Sequence, residues 1–500
     1  MPDDPVDDSD GSPGVDDGCL TPAERRRLTR TTSDRAITTT LALTGLIAAF
    51  MQTLVTPIIP QLPTLLHASS TDATWVLTST LLAAAISTPI SGRLGDMYGK
   101  RRIVMVLLAC MIVGSVVCAL STTLIPMIVG RVLQGVALGV IALGISILRD
   151  VLHPKSLGAA VALVSATLGV GGAVGLPVAA VIAQNFDYHY LFWLATALSI
   201  LALVLVARIV PVSTLRSGGR FDFVGAVGFG IGLVGILLAI SKGSEWGWTS
   251  PLTLLLFILG IVVLVAWGFF ELRTTDALID LRVAARRPVL LTNLASISIG
   301  FTFFVTTAAF PVLLEAPTST GVGLGQPLLL ASLCLMPLGL VMFFMSPVAA
   351  RLSNARGPRT SLLLGGIIIA VAFGIAVVLH SEVWHVILIS TIVGFGVGFA
   401  YAAMPTLIMH SVPPTETAAA NGLNSVMRTL GSTLAATIVG LILASNVVLA
   451  DGRTIPTDAA FQLVFALATA VVIAGVVIAF FIPRRDSAYG NTASIPIQRS

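Results

Sequence analysis

GRLGDMYGKRR, residues 92–102, stands between two long apolar segments of this sequence. Five of its eleven residues are charged and three are glycine, although only 10% of the 500 residues are charged and 56% are hydrophobic. Glycines permit sharp turns and close backbone contact, and basic residues collect at one surface of a membrane. The stretch therefore predicts a tight connection between two membrane-spanning helices.

The composition of the whole chain supports a membrane location. Charged residues make up about a quarter of a typical soluble protein, and the mean hydropathy here is +0.97. Apolar runs of about 20 residues recur between short polar breaks, and each run is long enough to cross roughly 30 Å of hydrocarbon. The sequence predicts an all-α integral membrane protein with 14 transmembrane helices. The predicted helices are 36–58, 74–92, 102–121, 123–147, 157–183, 190–211, 222–241, 252–271, 289–314, 325–350, 358–379, 384–410, 420–449 and 458–483.

The positions of the basic residues predict the orientation of the chain. With residues 1–35 inside, 24 of the 28 Lys and Arg residues fall in the tails or in the connections that follow even-numbered helices. Such a bias marks the cytoplasmic side. We expect both termini in the cytoplasm, with disordered or short tails at 1–35 and 484–500, and location in a bacterial plasma (inner) membrane. The pI of about 9.1 follows from this topology, so no nucleic-acid partner is expected.

An internal repeat divides the chain. TPISGRLGDMYGKRR at 88–102 aligns with SPVAARLSNARGPRT at 346–360, an offset of 258 residues. GVALG at 135–139 aligns with GFGVG at 394–398, an offset of 259 residues. Two unrelated features at nearly one spacing indicate two parallel six-helix halves, 36–211 and 289–483, with two inserted helices and their loops at 212–288.

These segments resemble those of a known family. GRLGDMYGKRR resembles the signature loop of the major facilitator superfamily, RVLQG at 131–135 resembles its fourth-helix motif, and GVGGAVGLPVAA at 169–180 resembles the fifth-helix pattern of its exporting members. The helix count is similar to that of the fourteen-helix drug:proton antiporter branch. The resemblance covers about residues 36–485 and implies the major facilitator fold. It also implies multidrug efflux by alternating access, coupled to protons.

The glycine-rich stretch is the candidate gate. Its glycines would let helix backbones approach closely, and Asp96, favoured by the dipole at the start of the third helix, could hold arginines of a neighbouring helix. These contacts would favour a state closed on the cytoplasmic side, whereas Lys100, Arg101 and Arg102 could equally serve only as topology anchors. In the second repeat Asn354 replaces the acid, which predicts an asymmetric switch. The candidate gating residues are Gly92, Arg93, Gly95, Asp96, Gly99, Lys100 and Arg101.

Charged residues inside the membrane are expensive and usually functional. Arg131 and Gln52 should lie at nearly the same depth, about 10 Å below the outer surface. In the family that this chain resembles, an acid occupies the position of Gln52, so the expected proton carrier is absent and coupling is expected to be weak or to use Glu315 or Asp96. Arg131 is expected to bond Gln52 and backbone carbonyls. The candidate intramembrane residues are Gln52, Arg131, Gln134, Glu315 and Arg428.

Polar and small residues predict a pocket and a helix bend. Asn421, Asn424, Ser425 and Arg428 recur on one face of the thirteenth helix, which would contact substrate or form a structural hydrogen-bond seam. Gly171, Gly175 and Pro177 would allow close packing and a bend in the fifth helix. The candidate pocket residues are Phe50, Asn293, Phe301, Thr302, Asn421 and Asn424.

The remaining patterns exclude other classes of protein. The two halves do not supply the matching charged rings of a channel, and no connection exceeds about twenty residues, which leaves no room for a catalytic domain. Four cysteines show no metal or disulfide spacing, so no cofactor and no metal are expected. We expect a transporter, acting as a monomer, with a small-molecule substrate, protons and membrane lipids as partners. The open alternative is an importer, or an uncoupled transporter of an endogenous metabolite or lipid.

Overall fold

The computed structural model describes residues 33–212, 217–318, 321–450 and 453–483. Within this part of the chain, 14 helices are long and apolar enough to cross a membrane, which confirms the predicted number. They are α1 (Asp34–Thr53), α2 (Trp75–Tyr98), α3 (Lys100–Ala119), α4 (Leu124–Val151), α5 (Pro154–Asn185), α6 (His189–Ile209), α7 (Phe223–Trp246), α8 (Pro251–Glu271), α9 (Arg287–Glu315), α10 (Leu328–Arg356), α11 (Pro358–Ala376), α12 (Val383–Met409), α13 (Thr417–Ser445) and α14 (Asp458–Phe480).

Shorter elements lie between the spans. Helix α4 is divided into Leu124–Ala137 and Val140–Val151. Strands β1 (Val447–Ala450) and β2 (Arg453–Pro456) pair antiparallel, with Val448 opposite Ile455. The short helical segments are Thr56–Gln61, Leu62–Leu65, Ser70–Ala73, Leu281–Ala284 and Pro414–Glu416.

The sequence-based boundaries need three main corrections. The span predicted at 325–350 continues to Arg356, because Gly357, with φ of 88°, makes the turn to α11 within one residue. The span predicted at 420–449 ends at Ser445, because the apolar run VVLA forms strand β1 and not a further helical turn. Most of the predicted loop at 92–102 is helical. Helix α2 continues to Tyr98 and α3 begins at Lys100, because Gly99, with φ of 104°, reverses the chain in one residue. The N-terminal tail was predicted at 1–35, but α1 already begins at Asp34, and residues 1–32 and the predicted C-terminal tail at 484–500 lie outside the described residues.

The helices form two six-helix halves. One hydrophobic core consists mainly of residues from α1 to α6 and also includes Met409 and Ala418, and the other consists mainly of residues from α9 to α14 and also includes Ala166 of α5. The halves meet mainly where α5 packs along α10 and α2 packs along α13. We call the end of the bundle that carries Arg93, Lys100 and Arg149 the basic face, and the other end the opposite face.

The inserted helices extend this arrangement. Helix α7 packs against both α2 and α13, and Phe229 and Leu233 of α7 share a buried cluster with Ala85 of α2 and Val426 of α13. Helix α8 packs against α7 and exposes most of its apolar side chains. Helix α7 therefore covers the seam between the halves on one side of the bundle.

Candidate gate and substrate site

Asp96 joins the two halves at the basic face. It lies in the last turn of α2, is 1% exposed, and its Oδ2 accepts hydrogen bonds from the backbone N–H groups of Ala418 at 3.2 Å and Ala419 at 3.1 Å. The first N–H groups of a helix have no partner within the helix, and the helix dipole favours an acid there. The sequence suggested a position at the start of α3 and arginine partners. The structure instead places Asp96 against the first turn of α13.

Two further charged residues support this contact. Lys100, which is 1% exposed, places its Nζ 3.4 Å from Asp96 Oδ1 and 2.7 Å from Asp150 Oδ2. Arg149 donates to Thr417 Oγ1 and, at 3.2 Å, to the carbonyl of Val412. Lys100 is thus buried between Asp96 and Asp150, and it is not a solvated residue that serves only to orient the helices in the membrane. Arg149 and Asp150 were not singled out from the sequence, because an adjacent acid and base at a helix end usually indicate only a membrane boundary.

Glycines permit the helix crossing beside Asp96. A Cβ atom on Gly92 would lie 2.7 Å from the carbonyl oxygen of Ala418, and one on Gly422 would lie 2.8 Å from Pro89 Cα. A Cβ atom on Gly95 would clash with the side chain of Leu143. Small residues are required wherever helix backbones approach this closely. The tight crossing of α2 and α13 therefore depends on Gly92 and Gly422.

Arg93 and Arg101 have different surroundings. Arg93 is 8% exposed, donates to Ser217 at 3.5 Å, and lines a cavity of about 270 Å³ together with Glu416. Arg101 donates to the carbonyl of Ala207 at the end of α6, within its own half. Arg359, its counterpart in the repeat, donates to Phe480 at the end of α14. In each half, therefore, this arginine joins the third helix to the sixth helix of the same half.

Arg131 is buried inside the first half. It is 1% exposed, and it donates to Gln134 Oε1 at 2.8 Å and to the carbonyls of Met51 and Val76 at 3.3 Å. Gln134 in turn donates to Ser115 at 2.8 Å. The expected carbonyl partners are present, but the hydrogen-bonding side chain is Gln134 and not Gln52. All of these hydrogen-bond partners of Arg131 are therefore neutral groups.

The polar face predicted for the thirteenth helix forms a network in the second half. Arg428 donates to Asn424 Oδ1 at 2.6 Å and to Ser425 Oγ at 2.8 Å, and its guanidinium carbon lies 5.1 Å from the ring centre of Tyr401. Asn424 donates to Asn293 at 3.0 Å and to Ser296 at 2.6 Å. These bonds link α13 to α9. Tyr401 was not singled out from the sequence, because α12 carries no polar periodicity around it.

The other candidate residues fall into two groups. Phe50, Phe301 and Thr302 are 5%, 3% and 0% exposed and lie in the packed interior of the halves, whereas Glu315 is exposed in the last turn of α9. Helix α5 continues without interruption through Pro177. Its glycines pack against α1: a Cβ on Gly171 would lie 2.7 Å from the carbonyl oxygen of Leu46, and Gly175 contacts Thr53 and Phe50.

A small cavity lies between the halves beside Arg428. Four helices form it, two from each half. Its lining residues are Ile141, Ala142, Ile145, Ser165 and Leu168 from the first half, and Tyr401, Pro405, Asn421, Ser425 and Arg428 from the second.

Within the described part of the chain, no group of three or more His, Cys, Asp or Glu residues could hold a metal ion.

Comparison with known proteins identifies the family. The model of the family described as Major Facilitator Superfamily matches residues 41–222, 217–436 and 357–496. The chain is 25% identical over 377 residues to Multidrug resistance protein 3 of Bacillus subtilis (strain 168), covering 74% of this chain and 72% of that protein. It is 29% identical over 473 residues to Puromycin resistance protein pur8 of Streptomyces alboniger, covering 89% of this chain and 90% of that protein.

A solved structure shows the same fold. The proton:xylose symporter XylE superposes with a TM-score of 0.63 at 14% sequence identity, covering 91% of this chain and 97% of that one. The family matches span most of the 14 helices, and the resemblance inferred from residues 88–102 is confirmed. The chain belongs to the major facilitator superfamily and is similar to its multidrug resistance transporters.

Proposed function

We propose that this protein exports amphipathic small molecules from the cell by alternating access. It would do so as a monomer in a bacterial plasma membrane, with both termini and the basic face in the cytoplasm. The drug-resistance names of its relatives and the concentration of basic residues at one face support the proposal. The exchanging bodies would be the halves 36–211 and 289–483, with the inserted segment 212–288 beside them.

One observation carries the proposal: the contact of Asp96 with the first turn of α13. It joins the two halves through one buried carboxylate and two backbone amides. Hydrogen bonds to a charged group contribute about 1.5–3 kcal/mol each, so a contact of this size can hold one state and still be broken during a transport cycle. Separation of Asp96 from α13 would open the basic face to the cytoplasm.

Energy coupling follows the distribution of the acids. Every Asp and Glu of the described helices lies near a helix end, and Gln52 cannot exchange a proton. We propose that proton coupling is weak and that Asp96 carries it in preference to Glu315. Asp96 is buried and would change its partners when the gate opens, whereas Glu315 is exposed in this state.

The test is export from cells of a drug-sensitive bacterial strain that lacks its main exporters. We expect expression of the protein to lower the accumulation of amphipathic dyes and drugs. Asp96→Asn should remove most of this export at equal expression, because the neutral amide weakens the contact with α13. Asp187→Asn is the matched control, since Asp187 is exposed at the opposite face and its side chain bonds only to His189 among the described residues. Export that is equal in all three proteins would contradict the gate, and accumulation unchanged by expression would contradict the function.

A further inference from the structure

The small cavity between the halves has two unlike walls. Ile141, Ala142, Ile145 and Leu168 make the wall from α4 and α5 almost entirely apolar. Asn421, Ser425 and Arg428 make the facing wall of α13 polar and cationic. An apolar wall opposite a few convergent polar groups is the kind of lining that small-molecule sites have, although in this closed state the cavity, of about 10 Å³, has room for no more than a water molecule. A ligand here would have an apolar body and a polar end directed at α13.

Arg428 gives this wall an unneutralised positive charge. Its hydrogen-bond partners, Asn424 and Ser425, are neutral, and no residue lining the cavity is acidic. A guanidinium carries five N–H donors, so these two bonds leave donors for a ligand. Arg428 lies roughly 16 Å along α13 from its first residue, near the middle of the bundle, where an unpaired charge is costly.

Two buried polar atoms on the same lining would be available to a ligand once the halves separate. Asn421 is 3% exposed and Ser165 is 1% exposed, and neither Asn421 Oδ1 nor Ser165 Oγ has a hydrogen-bond partner in the described part of the chain. A buried polar atom without a partner destabilises a protein, so each one calls for an explanation. Asn421 Oδ1 would accept a hydrogen bond from a hydroxyl or N–H group elsewhere on a ligand, whereas the Ser165 hydroxyl could donate one to an anionic group.

We propose that the exported substrates are organic anions: amphipathic molecules with a carboxylate, sulfonate or phosphate group that Arg428 holds between the separated halves. This inference rests on the proposed export function and names the substrate class of that transporter. A cation would meet the guanidinium at short range without a carboxylate to balance it, so the same site disfavours cationic drugs.

The anionic class also accounts for the absence of an acid at Gln52. A membrane potential that is negative inside expels an anion, and each elementary charge supports a concentration ratio of roughly fifty-fold per 100 mV. An exporter of anions can therefore accumulate its substrate outside without exchanging a proton. In the present state the lining residues lie close together, so loading would require α4 and α5 to separate from α12 and α13 at the basic face.

The test compares three probes that share one fluorescent ring system and differ in charge. Dansylglycine is an anion, dansylglycinamide is neutral and dansylcadaverine is a cation. Binding to the purified full-length protein in lipid nanodiscs is measured by dansyl fluorescence. We expect dansylglycine to bind at least about ten-fold more tightly than the other two probes, since an ionic partner strengthens a hydrogen bond.

Variants of the cavity decide whether Arg428 causes the preference. Arg428→Gln should remove it, whereas Arg428→Lys should keep the order of the probes because the charge remains. Asn421→Asp changes shape very little and adds a negative charge, so it should lower the affinity for dansylglycine by about ten-fold or more and raise that for dansylcadaverine. Equal binding of the three probes by the wild type, tighter binding of the cation, or a preference that survives both Arg428→Gln and Asn421→Asp would overturn the proposal.

Export in cells separates this inference from the proposed function. If expression lowers drug accumulation but dansylglycine shows no preferred binding, the substrate class is wrong and the export function stands. If expression lowers the accumulation of no compound, the function itself fails. A preference for dansylglycine, together with its potential-driven movement in proteoliposomes, would support both.

Discussion

At the scale of single residues, Asp96 and Asn354 occupy equivalent places in the two repeats but differ in chemistry. Asp96 is buried and accepts two backbone hydrogen bonds from the first turn of α13. Asn354 is exposed and lies beside the first turn of α5, where a Cβ on Gly158 would be 3.0 Å from its Oδ1. Each side chain thus faces the fifth helix of the other half. The charged contact is the stronger one, which makes the closure asymmetric.

The position of Gln52 provides a test of energy coupling. Gln52→Asp introduces an acid in the last turn of α1, next to Met51, whose carbonyl accepts from Arg131. We expect transport to become dependent on an imposed pH gradient, because the new group can gain and lose a proton while its distance from Arg131 changes. The measurement is transport by proteoliposomes with and without the gradient. Gln52→Asn serves as the control, and an equal response of both variants would contradict this prediction.

The sequence predicted which polar residues lie inside the helices better than it predicted their hydrogen-bond partners. The depth of Arg131 and the polar face of the thirteenth helix follow from helical periodicity along one segment. The bonds of Arg131 to Gln134 and of Lys100 to Asp150 depend on side-chain direction and on the packing of other helices. Gln52 was predicted at the same depth in the membrane as Arg131, but the two side chains form no hydrogen bond in the described structure. Equal depth in the membrane therefore does not identify hydrogen-bond partners.

At the scale of elements, the close crossing of α2 and α13 depends on glycines, which have no side chain to hold the two backbones apart. Gly422→Ala would place a Cβ 2.8 Å from Pro89 Cα, and the helices would have to move apart. We expect weaker closure at the basic face, a several-fold loss of export and a cost of about 1–3 kcal/mol in stability. Gly440→Ala is the matched control, since a Cβ there meets nothing within 4 Å. Dye export and thermal unfolding of the purified variants are the measurements, and two variants that behave alike would refute this role of Gly422.

Helix α7 is tied to both halves at its opposite-face end. Lys242 is 1% exposed, bonds to Glu245 at 2.8 Å and to Thr74, and lies 5.0 Å from the ring centre of Trp75. Thr437 of α13 donates to the carbonyl of Ile240 at 2.8 Å. Helix α7 is therefore a packed part of the bundle, whereas α8 packs against α7. The sequence predicted the existence of α7 from apolar length, but its contacts with α2 and α13 join segments far apart in the chain.

Local chemistry explains where the element boundaries were predicted correctly and where they were not. Long apolar runs determined the number of spans, because length and hydropathy are properties of each segment alone. Gly99 and Gly357, with φ values of 104° and 88°, make the two equivalent turns shorter than the charged stretches suggested. The strand β1 was missed because its residues are as apolar as a helix end and its pairing partner lies beyond it.

At the scale of the whole molecule, the orientation in the membrane can be measured directly. The concentration of basic residues predicts that tags at both termini are accessible only from the cytoplasm. A cysteine at Asn185, which is exposed at the end of α5 on the opposite face, should react only with an external reagent. The four native cysteines are first replaced. External labelling of either terminus would reverse the topology and contradict the export direction.

Opening and closing of the basic face, with Asp96 stabilising the closed state, can be tested by a cross-link between the halves. In the cysteine-free background, Gly158→Cys and Asn354→Cys place two thiols in different halves at the basic face, close enough for a disulfide in the closed state. We predict rapid cross-linking with loss of transport, recovery of transport on reduction, and markedly slower cross-linking when Asp96→Asn is added. Cross-linking at the same rate with and without Asp96→Asn, or transport that continues in the cross-linked protein, would contradict gating at the basic face by Asp96.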